Sequence, residues 1–184
     1  MPSKMAFTAA LALLLAAIVV PSAGATRPIH EEVTLTDVTF PDAYLSDACG
    51  TDVLDTVNGR LTATLFPASP GSPAHEVDTL TGGTITYSSP DTGNSVTRPM
   101  NGTSHALYPD GISVGSPAIV TINGLNSQSI TGVAPPGSGQ LVANATILFV
   151  DDVGVPGTAF ATSDIVSMNG NYAATTAEIC AALT

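Results

Sequence analysis

An all-β domain, built as a single antiparallel β-barrel with a short C-terminal helix, is the fold this sequence predicts, and three observations carry it. Apolar residues recur at every second position over several segments, which is the pattern of strands with one buried face. Thr, Val and Ile are abundant, as pleated surfaces favour, while 17 Gly and 14 Pro punctuate the chain as turn formers. Long helical patterns are absent from the body of the chain.

The chain opens on a pattern expected of a secretory leader. Lys4 supplies a positive charge, Ala6 to Val20 is an uncharged apolar run, Pro21 breaks it, and Ala23-Gly24-Ala25 offers a small-residue cleavage site. The run is shorter than the roughly 20 residues a membrane-spanning helix needs. Residues 1–25 are therefore expected to be a signal peptide, and residues 26–184 one exported domain that does not insert into the membrane after cleavage.

Strands are expected in the following order. Val33 to Phe40 changes phase at Asp37, which suggests a bulge. Arg60 to Phe66 alternates Leu61, Ala63 and Leu65 with Thr62 and Thr64. After a Pro-rich loop from Pro67 to Ala74, Val77 to Ser88 is extended, interrupted by Gly82-Gly83 and with Ile85 and Tyr87 on one face. A turn at Ser89 to Asn94 leads to extended segments at Val96 and at Thr103 to Tyr108. Pro109-Asp110-Gly111 reads as a hairpin turn into Ile112 to Val114 and Ala118 to Ile122. Gln140 to Val150, with Leu141, Ala143, Ala145, Ile147 and Phe149 on one face, reads as the central strand, and Thr158 to Met168 as one further strand. Thr175 and Glu178 have capping-box spacing, which predicts a closing helix of at most two turns.

Sequential hairpins of this kind form a lipocalin-like meander that closes into a barrel, with a β-sandwich as the alternative. The barrel is preferred because closure removes exposed sheet edges. The chain also has no Trp to match the immunoglobulin core pattern.

The formal net charge of −11 excludes two classes of partner. After the leader only Arg27, Arg60 and Arg98 are basic, so the clustered cations that nucleic acid and anionic membrane surfaces require are missing. Two cysteines in an exported chain are expected to pair with each other, here Cys49 with Cys180. Two cysteines alone do not make a tetrahedral zinc site, and no metal site or cofactor is expected.

The segments Leu45-Ser46-Asp47-Ala48-Cys49-Gly50, Thr86 to Ser95 and Glu178-Ile179-Cys180-Ala181-Ala182-Leu183 resemble those of a group of uncharacterised secreted actinobacterial β-rich proteins. That group shares an early Cys-Gly, a central Asn-Pro-Ala-Thr-Gly-like turn and a closing acidic-x-Cys-Ala-Ala-Leu. Ser89 and Asp91 depart from the turn pattern, at positions where Asn and Ala are common. The resemblance implies fold and export and carries no catalytic role.

No residue is assigned as catalytic. Gly111-Ile112-Ser113-Val114-Gly115 matches the nucleophile-elbow pattern, yet no histidine follows Ser113 and the surrounding sequence lacks the helices of that fold. Of the three histidines, His30 falls in an N-terminal segment expected to be unstructured, His75 in the Pro-rich loop and His105 in a strand. Asp47, Asp52 and Asp55 flank Cys49, and Asp151-Asp152 sit in a turn, without the spacing of a calcium loop. The composition thus favours a protein that binds a small apolar molecule inside a barrel. A structural or protein-interaction domain of the cell envelope, with an extracellular protein as partner, is the alternative. A third possibility is an enzyme, which requires some of Asp47, Asp52, Asp55, His105, Asp151 and Asp152 to converge in one cavity.

Overall fold

The computed structural model describes residues 27–125, 134–152 and 154–184, and the expected leader lies outside these. Eight strands are arranged as β1 (Ile29–Pro41), β2 (Leu54–Phe66), β3 (Ala74–Ser88), β4 (Ser95–Tyr108), β5 (Pro117–Leu125), β6 (Ser138–Val150), β7 (Pro156–Ala159) and β8 (Ile165–Gly170). Two helices accompany them, α1 (Ala43–Cys49) and α2 (Tyr172–Leu183). All eight strands belong to one antiparallel sheet in the order β1 to β7, with β8 pairing the first half of β6 and β7 its second half. Among the described residues no pairing joins β1 to β7 or β8, so the sheet is not closed.

The sheet is curled by a row of irregularities. The expected bulge at Asp37 is present: the β1–β2 register shifts between Leu35 and Val38, and Asp37 has φ 50°. Asn58 stabilises it, accepting the Asp37 N–H at 2.8 Å and donating to Asp37 Oδ1 at 3.2 Å. Gly59 faces this bulge on β2, and the expected interruption at Gly82-Gly83 faces Gly59 on β3. Bulges bend strands and increase their twist, so the two of them, on β1 and β3 with Gly59 of β2 between, bend the β1–β3 part of the sheet.

Two apolar clusters fill the curl of the sheet. One joins Tyr108, Ala106, Val120, Ile122, Leu141, Ala143, Ile147 and Phe160. The other joins Val57, Leu80, Ile85, Tyr87 and Met100 of the sheet to Leu45 of α1 and to Ile179 and Leu183 of α2. The helices are locked by the Cys49–Cys180 disulfide, which spans a sequence separation of 131. The turn at Ser89 to Asn94 closes the same corner. Thr92 Oγ1 and Asn94 Nδ2 donate to the Leu183 carbonyl at 2.6 and 3.3 Å, and Asp91 accepts from Thr51 Oγ1 and the Asp52 N–H. The three segments that carried the sequence resemblance therefore meet in space, as a clasp holding α1, α2 and one hairpin turn together.

Several expectations need correction. His30 lies in ordered strand β1 and hydrogen-bonds Thr64 Oγ1 at 3.0 Å, because the alternation Ile29, Glu31, Val33 continues the inward face of β1. The segment from Tyr44 to Cys49 is helical, started by Asp42, whose carboxylate accepts the Leu45 N–H at 2.8 Å. Ile112 to Val114 is not a strand: Gly111 and Gly115 both have positive φ and fold residues 109–116 into consecutive turns. The expected strand Thr158 to Met168 is two strands, separated where the Asp164 carboxylate accepts the Ala161 N–H. α2 has 12 residues and starts at Tyr172, ahead of the expected cap; Thr175 is buried within it. No described helix is long and apolar enough to cross a membrane.

Candidate functional site

Between β1 and the β6–β7 hairpin lies a cavity of about 420 Å³. One wall is the inward face of β1, with Val33, Leu35, Val38 and Phe40, continued by Leu61 and Val57 of β2. The other is the hairpin, through Phe149, Asp151, Val155 and Pro156. The walls borrow from both core clusters, since Leu35, Phe40 and Leu61 pack on one and Val155 on the other. At a rise of about 3.3 Å per residue, the apolar wall from Val33 to Phe40 runs for roughly 20 Å.

One end of this cavity is acidic. Glu31, Ala63 and Asp78 are aligned across β1, β2 and β3, with the small Ala63 side chain leaving room between the two carboxyls. Glu76, two residues before Asp78 and on the same face of β3, and Asp151 complete the group. Glu76 is 6% exposed, and its Oε2 accepts the Tyr108 hydroxyl at 2.6 Å. Burial pushes the Asp78 carboxyl up to about 8, reinforced by the charge of Glu76 and the hydrogen bond between them. At neutral pH Asp78 thus keeps its proton and shares it with Glu76 in that hydrogen bond, so Glu76 accepts from two donors. Glu76 is itself raised, chiefly by burial. Glu31 is raised by burial first, then by the charges of Asp151 and Glu76. Tyr108 is held protonated by burial and by Glu76.

Among the described residues no Lys, Arg or His lines the cavity. Arg60 and Arg98 are paired elsewhere, with Glu32 and with Glu178. Among the described residues no three His, Cys, Asp or Glu side chains are placed to hold a metal ion.

A second carboxyl pair is sealed in the interior. Asp42 and Asp55 are both 0% exposed, and the Asp55 oxygens have no donor except a proton shared with Asp42. Burial pushes Asp55 up to about 10, with the Asp42 charge adding to it. Asp42 is raised by burial as well, partly offset by the Leu45 N–H it caps. Neither residue lines the cavity, and the pair serves the start of α1.

The residues singled out from sequence do not converge. Asp47, Asp52 and Asp152 are exposed, His105 points outward from β4, Asp55 is sealed beside Asp42, and Asp151 alone reaches the cavity. Ser113 is exposed in a turn, its hydroxyl 2.6 Å from that of Ser116. Glu31, Glu76 and Asp78, which do converge, escape sequence reading. The available signal is parity: even positions of β3 face inward up to Leu80 and odd ones after Gly83.

Comparison with protein-family models, with curated proteins and with solved structures finds no match to this chain. Its function has to be argued from the cavity itself.

Proposed function

We propose that this chain is an exported binding protein that holds one small, largely apolar molecule between β1 and the β6–β7 hairpin, the curled sheet acting as an open, lipocalin-like barrel. The observation that carries this reading is the apolar wall from Val33 to Phe40 beside about 420 Å³ of space. Ligand sites of roughly 300–1,000 Å³ with apolar walls and a few convergent polar groups are the common form of small-molecule pocket. Export is supported by the leader pattern and by the Cys49–Cys180 bond, which persists in oxidising compartments. Membership in the secreted actinobacterial group belongs to the same proposal.

The test is a titration with the neutral fluorescent probe N-phenyl-1-naphthylamine, for which saturable binding at one site per chain is expected. Ala63→Phe places a ring in the cavity and should abolish binding while leaving the melting temperature close to that of the parent. No saturable binding to folded protein, or undiminished binding to the filled variant, would end this reading.

One observation favours a second reading, that of a protein-interaction domain. Phe66, His75, Leu107 and Ile119 form a cross-strand row on the outer face, where Phe66 and His75 stack at 4.6 Å and Leu107 and Ile119 are 38% and 41% exposed. Capture of a cell-surface partner that is lost in Leu107→Ser/Ile119→Ser would support it.

A further inference from the structure

We infer that the molecule held in the cavity is a cationic amphiphile, with a single ammonium group at the Glu31–Glu76–Asp78–Asp151 end and its apolar body along Val33 to Phe40. This rests on the binding function proposed above and names the ligand class for the same cavity.

The argument is one of charge complementarity along the length of the cavity. Four carboxyls from β1, β3 and the β6–β7 turn face one end, and the described lining holds no cationic side chain to neutralise them. A purely apolar cavity has no need of these groups, and burying carboxyls costs free energy unless they are paired or protonated. In the free protein that cost is relieved by internal hydrogen bonds: Tyr108 donates to Glu76, and Asp78 supplies a proton to the same group. One oxygen of Asp78 remains buried without a partner. An ammonium group has three donors and a charge of the required sign, so it satisfies these acceptors directly.

A carboxylate head group would instead meet the repulsion of Glu31, Glu76 and Asp151. An alcohol could hydrogen-bond there but would leave the charge uncompensated. The negative field of the whole chain, at a net charge of −11, also concentrates cations near the opening.

The pH dependence has a definite sign. The titratable groups facing the head-group position are Glu31 on β1, Glu76 and Asp78 on β3, Tyr108 on β4 and Asp151 in the β6–β7 turn; β2 contributes only Ala63. As pH rises toward and through about 8, Asp78 gives up the proton that burial and Glu76 hold on it, while an alkylammonium stays charged up to about pH 10. Amine binding therefore strengthens over this range and releases protons.

The experiment compares dodecylamine, dodecan-1-ol and dodecanoate as competitors of N-phenyl-1-naphthylamine on the intact, disulfide-bonded protein at pH 8. The amine is expected to bind at least about tenfold more tightly than the alcohol, with the carboxylate weakest, a ratio equivalent to one well-placed charge pair. In Glu31→Gln/Asp78→Asn, where the new amide on β3 still offers a donor to Glu76, the amine-to-alcohol ratio should fall by at least about threefold, Glu76 and Asp151 keeping part of the attraction. Calorimetry in buffers of different ionisation enthalpy should register proton release with the amine only. Equal affinities for amine and alcohol, or tightest binding of dodecanoate, would overturn this assignment while leaving the apolar cavity a binding site. Failure of all three to compete would overturn both.

Discussion

The Tyr108 hydroxyl on β4 donates to Glu76 Oε2 on β3 at 2.6 Å, across a buried stretch of the sheet. This bond stabilises a carboxylate that is only 6% exposed. Tyr108→Phe keeps the ring and removes the donor, and leaving a buried charged acceptor with one partner fewer costs about 1–3 kcal/mol. Urea denaturation should show that loss. A change below about 0.5 kcal/mol, the size of an ordinary surface substitution, would mean the bond is not formed in solution.

Stability should increase on acidification from pH 8 to pH 5. Unfolded Asp releases its proton near pH 3.9, whereas folded Asp78 releases it near 8 and folded Asp55 near 10. Between those values the folded state binds more protons than the unfolded one, so each group's contribution is full below about pH 4 and is lost as pH rises through the folded value. The slope is at most about 1.4 kcal/mol per pH unit for each group. Asp55→Asn keeps a donor for Asp42 without an ionisable group, so it should flatten the profile and raise the urea midpoint at pH 8. A wild-type midpoint that rises with pH over this range would contradict the two buried pairs.

Reduction of Cys49–Cys180 should be costly. The bond closes a loop with a sequence separation of 131, for which the chain-entropy model gives about 5 kcal/mol. Because it joins α1 to α2, reduced protein should lose helix docking first. Amide exchange in α2, measured with and without reductant, checks this.

Gly83 has a specific steric role. A Cβ there would sit 2.5 Å from the Met100 carbonyl oxygen and 3.1 Å from Leu80 Cδ2. Gly83→Ala should destabilise by about 1–3 kcal/mol, as overpacking does, and should weaken probe binding, since it disturbs the bulge that curls the sheet around the cavity. Gly93→Ala gives the control, because its Cβ meets nothing within 4 Å although its φ of +76° carries local strain.

Sequence periodicity was most legible where burial is complete and the phase constant. Leu141, Ala143, Ala145 and Ile147 all point inward along β6 as their alternation implies, and the change of phase at Asp37 marks a real bulge. The disulfide followed from export and the cysteine count. α1 was illegible because seven residues are too few to show a helical period, and its start depends on a single Asp42 side chain. The acidic end of the cavity was hidden by the bulge at Gly82-Gly83. Taking Ile85 and Tyr87 as inward and counting back by twos puts Glu76 and Asp78 on the solvent side, where acids are unremarkable. The bulge shifts the phase between Leu80 and Gly83 and turns them inside.

Where a ligand sits is answered most directly by methyl NMR during a titration with dodecan-1-ol. Saturable shifts should appear at Val33, Leu35, Val38 and Leu61, with Leu107 and Ile119 on the outer face unmoved. Shifts confined to Leu107 and Ile119, or none at any methyl of the β1 wall, would contradict the claim that this sheet encloses a binding cavity.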